Sequence, residues 1–253
     1  MIKEKEKVEL KSPILIEGFP GLGEVGRIAV RFLTKQLKAK KLALLYSPYF
    51  PYYVIVDKKG SARLLRGQFY FWENRKGGRD IITLTGDSQA QTVQGQYEVA
   101  SSILDYAKKK GVSLLITLGG YKSNGKETPA VIAVSTDSKL IEVAEKAGAT
   151  LSSEGNPIVG MAGILIGIAK FKELPALCLL GKTDGYFPDP KAAKNVLQVL
   201  IKMLDLDIDL KGLDKEIERA NRILEKMRSI DDQRRKITRS IREEEAGKIT
   251  YIS

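Results

Sequence analysis

The chain has 253 residues, with 42 lysines and arginines against 31 aspartates and glutamates, and it has no histidine. The lack of histidine excludes a Ser-His-Asp or Cys-His catalytic centre, a histidine general base and a histidine-bound metal. The net charge of +11 permits an acidic partner or a nucleic acid. However, the basic residues are interleaved with acidic ones, which favours a solvated surface.

Cysteine usage and the N-terminal sequence point to a reducing compartment. Cys178, the single cysteine, lies in the apolar run Leu177–Leu180, so we interpret it as a core residue and not as a nucleophile. It has no second cysteine to pair with, which fits a cytoplasmic protein. Residues 1–7 have mixed charge and do not predict a signal peptide. Because no apolar run reaches roughly 18 residues, no membrane span is predicted and no membrane partner is expected.

Strand-like and helix-like segments alternate from residue 14 to residue 204, which predicts an α/β fold. Helices between apolar strands predict a mostly parallel sheet with helices on both sides, and the turn residues Asn74–Asp80 predict a hairpin that makes the sheet mixed. The predicted strands are Ile14–Glu17, Leu42–Tyr46, Tyr53–Val56, Leu64–Trp72, Asp80–Thr85, Leu114–Leu118, Val131–Ser135 and Ala176–Leu180. The predicted helices are Glu24–Lys38, Thr92–Lys110, Ser138–Ala147, Gly160–Lys170 and Pro190–Leu204.

The first predicted strand leads into a glycine-rich turn in which Gly21, Gly23 and Gly26 spell G-x-G-x-x-G. This pattern binds dinucleotides when an acidic residue ends the next strand, but the next predicted strand here ends without a carboxylate. Glu24 inside the loop would also repel a phosphate. We therefore interpret the segment as a tight turn in which Gly23 and Gly26 permit close packing. Nucleotide binding is the less favoured alternative, and neither a cofactor nor a metal is expected.

Polar residues follow two later strands. In Gly86–Gln89, Ser88 has no histidine base, and we expect Asp87 and Gln89 to cap a helix or bond a loop. The glycines of Leu118–Tyr121 could admit either a ligand or a neighbouring loop.

The composition changes after residue 210. Apolar residues then recur at spacings of four and three, which predicts a helix or helical hairpin that docks on the body or on another subunit. We divide the chain into an α/β core, 1–210, a helical extension, 211–246, and a flexible tail, 247–253. The basic stretch 234–239 is followed by three glutamates, so we do not expect a nucleic acid to be the partner.

Five segments together resemble the proteasome assembly chaperone family, in its archaeal branch. They are Glu17–Gly26, Gly86–Gln89, Leu118–Tyr121, Gly160–Gly163 and Pro188–Ala193. The resemblance implies a three-layer α/β/α sandwich related to nucleoside phosphorylases, a homo-oligomer and a non-enzymatic role. Archaeal members resemble proteasome-binding chaperones or ATP-independent activators.

The resemblance also implies a binding role for the last residues. Members that engage the proteasome are similar in having a tail of a hydrophobic residue, a tyrosine and one final residue. That tail enters a pocket between α-ring subunits, where its carboxylate meets a lysine. In this chain Thr250 precedes Tyr251, and Ile252 and Ser253 follow, so the tyrosine is third from last. The implied partner-binding residues are Ile249, Tyr251, Ile252 and Ser253, and the implied partner is the α-ring of the core proteasome.

Two other functions stay open at this point. An enzyme of the nucleoside hydrolase or phosphorylase kind would use Glu24, Asp87 and Asp184, with the backbone amides of Gly21–Gly26 holding an anion. Nucleic-acid binding would use the basic stretch near the C-terminus, and its affinity would fall steeply with salt.

Overall fold

The computed structural model describes residues 1–122 and 128–223. The remainder of the predicted extension and the tail residues Ile249, Tyr251, Ile252 and Ser253 lie outside the described residues. In the described part, no helix is both long and apolar enough to cross a membrane.

The described residues alternate between strands and helices as predicted. The strands are β1 (Ile2–Glu4), β2 (Ile14–Glu17), β3 (Lys40–Leu45), β4 (Val54–Val56), β5 (Ala62–Leu64), β6 (Gly67–Trp72), β7 (Ile81–Gly86), β8 (Leu114–Tyr121), β9 (Val131–Ser135), β10 (Thr150–Leu151) and β11 (Ala176–Lys182). The helices are α1 (Val25–Gln36), α2 (Val93–Lys109), α3 (Ser138–Ala147), α4 (Met161–Phe171), α5 (Pro190–Leu204) and α6 (211–223), with a 3-10 turn at Leu22–Glu24.

A nine-stranded mixed sheet forms the middle layer, in the order β1-β3-β6-β7-β2-β8-β11-β9-β10, and β4 pairs with β5 apart from it. Parallel pairing runs through the centre, where β2 lies between β7 and β8 and β8 pairs with β11. Antiparallel pairs flank this centre, and β6 and β7 form the predicted hairpin. The apolar central strands are buried on both faces, as parallel strands covered by helices must be.

Helices cover both faces of the sheet, which confirms the predicted three layers. One face carries α1, which packs on β2, β7 and β8, together with α3 and α5, which pack on β9 and β11. Leu33, Ile116 and Val196 belong to the core on this face. The other face carries α2 and α4, which pack on Leu15 and Leu115. Helix α6 starts within the predicted extension and joins the first face, because Leu213 is fully buried there.

Local signals explain where several elements begin and end. Asp137 accepts a hydrogen bond from the Lys139 amide at the start of α3, and Asp189 does the same for Ala192 in α5. The predicted single strand Leu64–Trp72 is wrong, since β5 and β6 are separate strands of different sheets. The short strands β1 and β10 were not predicted, because two or three residues carry no usable periodicity.

Candidate functional site

The space beside the glycines of the turn after β2 is occupied by other atoms of the protein. A Cβ on Gly26 would lie 2.1 Å from the carbonyl oxygen of Leu118 in β8, and one on Gly18 would lie 2.2 Å from that of Gly26. Gly23 has φ of +58°, and a Cβ there would lie 2.5 Å from Oγ1 of Thr183. The glycines therefore let α1 approach the sheet, which confirms the interpretation of the motif as a tight turn.

Side chains hold the turn after β7. Both carboxylate oxygens of Asp87 accept from the guanidinium of Arg63, at 2.6 and 3.0 Å, and one also accepts from the Arg66 amide at 3.0 Å. Burial would raise the pKa of Asp87, but these hydrogen bonds hold it below its usual value. Gln89 donates to the carbonyl of Pro20 at 2.6 Å and accepts from the Met161 amide at 2.9 Å. Asp87 and Gln89 thus brace loops, as predicted.

The three carboxylates of the enzyme hypothesis have different surroundings in the structure. Glu24 pairs with Arg27 at 2.9 Å on the α1 side of the sheet, Asp87 is occupied by Arg63, and Asp184 is exposed in the loop after β11. Among residues 1–122 and 128–223, no group of three or more acidic or cysteine side chains could hold a metal ion.

A cleft of about 810 Å³ opens at the carboxyl ends of the central strands. Its floor is formed by the ends of β2 and β8, and its walls come from α2, the start of α4 and the segment between α3 and α4. The residues that matter for its chemistry are Glu17, Phe19, Gln96, Leu118, Lys122, Ile158, Ala162 and Leu180. Ligands of open α/β sheets bind at this edge.

Glu17, the last residue of β2, is a buried carboxyl group in this cleft and is only 1% exposed. Its Oε1 accepts from the Phe19 amide at 2.9 Å. Desolvation disfavours the ionised form and raises the pKa of Glu17 to about 8, although the Phe19 hydrogen bond opposes the shift. The sequence interpretation gave Glu17 no role of its own. The one sign of such a role in the sequence is a carboxyl group at the end of an otherwise apolar strand.

Cys178 lies on the α2 and α4 face of the sheet and is fully buried. Burial raises the pKa of its thiol to about 12, so the group stays neutral. This confirms its interpretation as a core residue and argues against a nucleophile.

Apolar side chains are exposed around the mouth of the cleft. They include Leu22 in the 3-10 turn, Val159 before α4, and Tyr186 and Phe187 in the loop before α5. The ammonium of Lys122 lies 4.7 Å from the centre of the Tyr186 ring and 3.2 Å from its hydroxyl oxygen. Leu22, Val159, Tyr186 and Phe187, here called the apolar rim, form a surface of the kind that proteins use for contacts.

A second hollow of about 700 Å³, on the α1 side of the sheet, is strongly basic. Arg27, Arg31 and Lys35 follow one another at four-residue spacing on α1 and line it together with Lys38 and Arg63. Part of the net positive charge is therefore concentrated on one surface.

Comparison with known proteins agrees with this architecture. The PAC2 family matches residues 15–228. The solved structure of PbaB from Pyrococcus furiosus, an archaeal proteasome activator, is 38% identical, covers 90% of this chain and 98% of its own, and superimposes with a TM-score of 0.85. PbaA from the same organism, an archaeal homologue of proteasome-assembly chaperone, is 31% identical over 93% of this chain and 96% of its own, with a TM-score of 0.73.

A relative known from its sequence extends the match to a second archaeon. The uncharacterized protein MJ1210 of Methanocaldococcus jannaschii is 31% identical over 233 residues, which are 91% of this chain and 89% of the relative. Because the family match spans most of the chain and these similarities run nearly end to end, this chain belongs to the PAC2 family.

Proposed function

We propose that this protein is a homo-oligomeric, non-catalytic partner of the core proteasome that acts in the cytoplasm as an assembly chaperone or an ATP-independent activator. It docks its C-terminal tails on the α-ring. The observation that carries this proposal is the 38% identity to PbaB, an archaeal proteasome activator, over 90% of the chain.

The polar residues after β7 are bonded to other parts of the protein, which favours a binding role over catalysis. Asp87 and Gln89, which follow β7 at the sheet edge, are engaged in bonds that hold loops. Glu24 is paired with Arg27, and Asp184 is exposed in the loop after β11. An enzyme of the nucleoside hydrolase or phosphorylase kind is therefore the weaker candidate, since general acid–base work needs groups that are free to reach a substrate.

The apolar rim supports contact with other protein chains. Leu22, Tyr186 and Phe187 are exposed, although burying such side chains would be favourable. Contact between copies of the chain would present several tails at once. A tail that buries two or three side chains binds weakly, but several tails on one oligomer bind one ring with much higher avidity.

The proposal is tested by removing the tail. We expect deletion of Tyr251–Ser253 to abolish co-purification with an archaeal core proteasome and any stimulation of its peptide hydrolysis, while the oligomer stays intact. The matched substitutions are Tyr251→Ala, which should weaken binding, and Tyr52→Ala, a fully exposed tyrosine of the body that should not. Unchanged binding by the deletion variant would refute tail docking.

The position of the tyrosine allows a second test, in which proteasome binding is expected to increase. Removing Ser253 and changing Thr250→Leu gives an end of Leu-Tyr-Ile, which restores the pattern of a hydrophobic residue, a tyrosine and one final residue. We expect proteasome affinity to rise by roughly tenfold, because an additional apolar side chain is buried and the tyrosine takes the penultimate place. Equal or weaker binding would show that this pattern does not govern docking.

A further inference from the structure

Two buried polar atoms in the cleft at the carboxyl ends of β2 and β8 have no hydrogen-bond partner among the described residues. They are Oε2 of Glu17 and Oε1 of Gln96, and both side chains line the cleft. An unsatisfied buried polar atom costs about 1–3 kcal/mol. Because the two atoms belong to side chains that line one cavity, they point to a molecule that satisfies both.

The orientation of the Gln96 amide is set by its neighbours. Its Nε2 donates to Oε1 of Gln89 at 3.2 Å and to the carbonyl oxygen of Ala90 at 2.7 Å. Turning the amide over would place an oxygen against two oxygens. The unpartnered atom of Gln96 is thus an acceptor, and its complement is an N–H or O–H donor.

The carboxyl group of Glu17 supplies the opposite function. Oε1 is already engaged by the Phe19 amide, which leaves Oε2 to carry the proton of the neutral acid. The neutral form predominates at pH 7, because burial raises the pKa of Glu17 to about 8. The thiol of Cys178, which interacts electrostatically with Glu17, is also neutral, because burial raises its pKa to about 12. The complement of Glu17 is an acceptor such as a carbonyl oxygen.

The rest of the cleft suits an uncharged, partly apolar molecule. Phe19, Leu118, Ile158 and Leu180 contribute apolar surface, and the ammonium of Lys122 at the mouth is directed to the Tyr186 ring and hydroxyl. The volume of about 810 Å³ lies within the range of small-molecule sites. The cleft also lies at β2, where the strand order reverses: β3 lies on one side of β2 in the sheet, and β8 lies on the other. Open α/β sheets bind ligands at such a point.

We propose that this cleft binds an uncharged small molecule in which a carboxamide-type group is attached to an apolar body. The carbonyl oxygen accepts from the Glu17 carboxyl, and the N–H donates to Oε1 of Gln96. A carboxylate ligand lacks the donor, and an ammonium ligand lacks the acceptor and brings a charge that must be desolvated on binding. This site is separate from tail docking.

The chemical class is tested with three probes that share one ring: benzamide, benzoate and benzylamine. Saturation-transfer NMR on the intact oligomer is expected to show benzamide binding with a dissociation constant of about 1 mM, a value suited to so small a probe. Benzoate and benzylamine should bind at least about tenfold more weakly. No benzamide binding at 20-fold higher concentration, or equal binding of all three, would overturn the proposal.

Four variants locate the binding in the cleft. Glu17→Met removes the donor at similar length and should weaken benzamide at least about tenfold, whereas Glu17→Gln keeps a donor and should stay within about threefold of the wild type. Ala162→Phe fills the cleft and should abolish binding. Glu24→Gln is the matched control outside the cleft and should change nothing.

The outcomes separate this proposal from the proposed function. If Glu17→Met fails to fold, Ala162→Phe and the probe comparison still decide the result. Undiminished benzamide binding by Ala162→Phe would contradict the site. Benzamide binding should persist when Tyr251–Ser253 is deleted, so a loss of proteasome binding and a loss of ligand binding are distinguishable.

Discussion

The turn after β2 and the turn after β7 lie side by side at the same edge of the sheet, yet they are held in different ways. In the first, Gly18 and Gly26 pack against backbone carbonyl groups, and Gly23 packs against the Thr183 side chain. The second is held by side chains, with Asp87 on Arg63. Adjacent parallel strands can therefore end in turns that are held either by close packing or by hydrogen-bonded side chains. We call the Asp87–Arg63 pair of the second turn the polar brace. A glycine motif alone does not indicate a phosphate site.

The two carboxyl groups at these turns show the consequence. Asp87 has partners for both oxygens, and its pKa lies below the usual value. Glu17 has one partner, lies deeper, and its pKa is raised to about 8. One carboxyl group stabilises the fold, and the other keeps an oxygen that has no hydrogen-bond partner among the described residues.

The largest expected effect comes from breaking the packed turn. Gly26→Ala places a Cβ 2.1 Å from the carbonyl oxygen of Leu118, so we expect the free energy of unfolding to fall by about 3 kcal/mol or more. Denaturant unfolding measures it. Gly167→Ala is the control, since that helical glycine has open space beside it and should gain about 0.5–1 kcal/mol. Equal stability of Gly26→Ala and the wild type would refute the packing role.

Next in size is the pH dependence that Glu17 imposes. The folded pKa of about 8 exceeds the model-compound value of 4.5, so the unfolded state releases this proton first as the pH rises. Between pH 5 and pH 7 the wild type should lose about 1 kcal/mol of unfolding free energy per pH unit relative to Glu17→Gln, which has no proton to lose. Denaturant unfolding at several pH values measures the difference. Parallel pH profiles would contradict the buried neutral acid.

Breaking the polar brace should have a smaller effect. Asp87→Asn removes the charge opposite Arg63, so we expect a loss of about 1.5 kcal/mol in denaturant unfolding. Asp105→Asn is the control, because its pair with Lys172 is more exposed and should cost less than about 0.5 kcal/mol. A loss no larger than that of the control would show that Asp87 does not hold this turn.

The smallest effect is expected at Glu24, the carboxylate that follows the glycine turn. Its pair with Arg27 is partly exposed and three residues apart on the chain, so Glu24→Gln should change the unfolding free energy by less than about 0.5 kcal/mol. A loss comparable to that of Asp87→Asn, in the same unfolding measurement, would mean that this turn also depends on a polar brace.

Much of the fold could be predicted from the sequence, because its signals are local. Val131–Ser135, Ser138–Ala147 and Pro190–Leu204 occur at the predicted bounds, where alternation, caps and helical periodicity mark them. The role of Gly26 could be predicted as well, since a glycine between a strand and a helix signals close approach.

The cleft could not be predicted in the same way. Glu17 shares the cleft with Gln96 in α2 and Ala162 in α4, which are distant in sequence and come together only when the layers pack. A carboxyl group at the end of a strand carries no local sign of that environment.

Native mass spectrometry of the protein mixed with an archaeal core proteasome tests the proposed contact between the two assemblies most directly. We predict a species with the mass of the core particle plus one or more intact oligomers of this chain. That species should disappear when Tyr251–Ser253 is deleted. Free core particle beside a monomer of this chain at micromolar concentration would contradict the account.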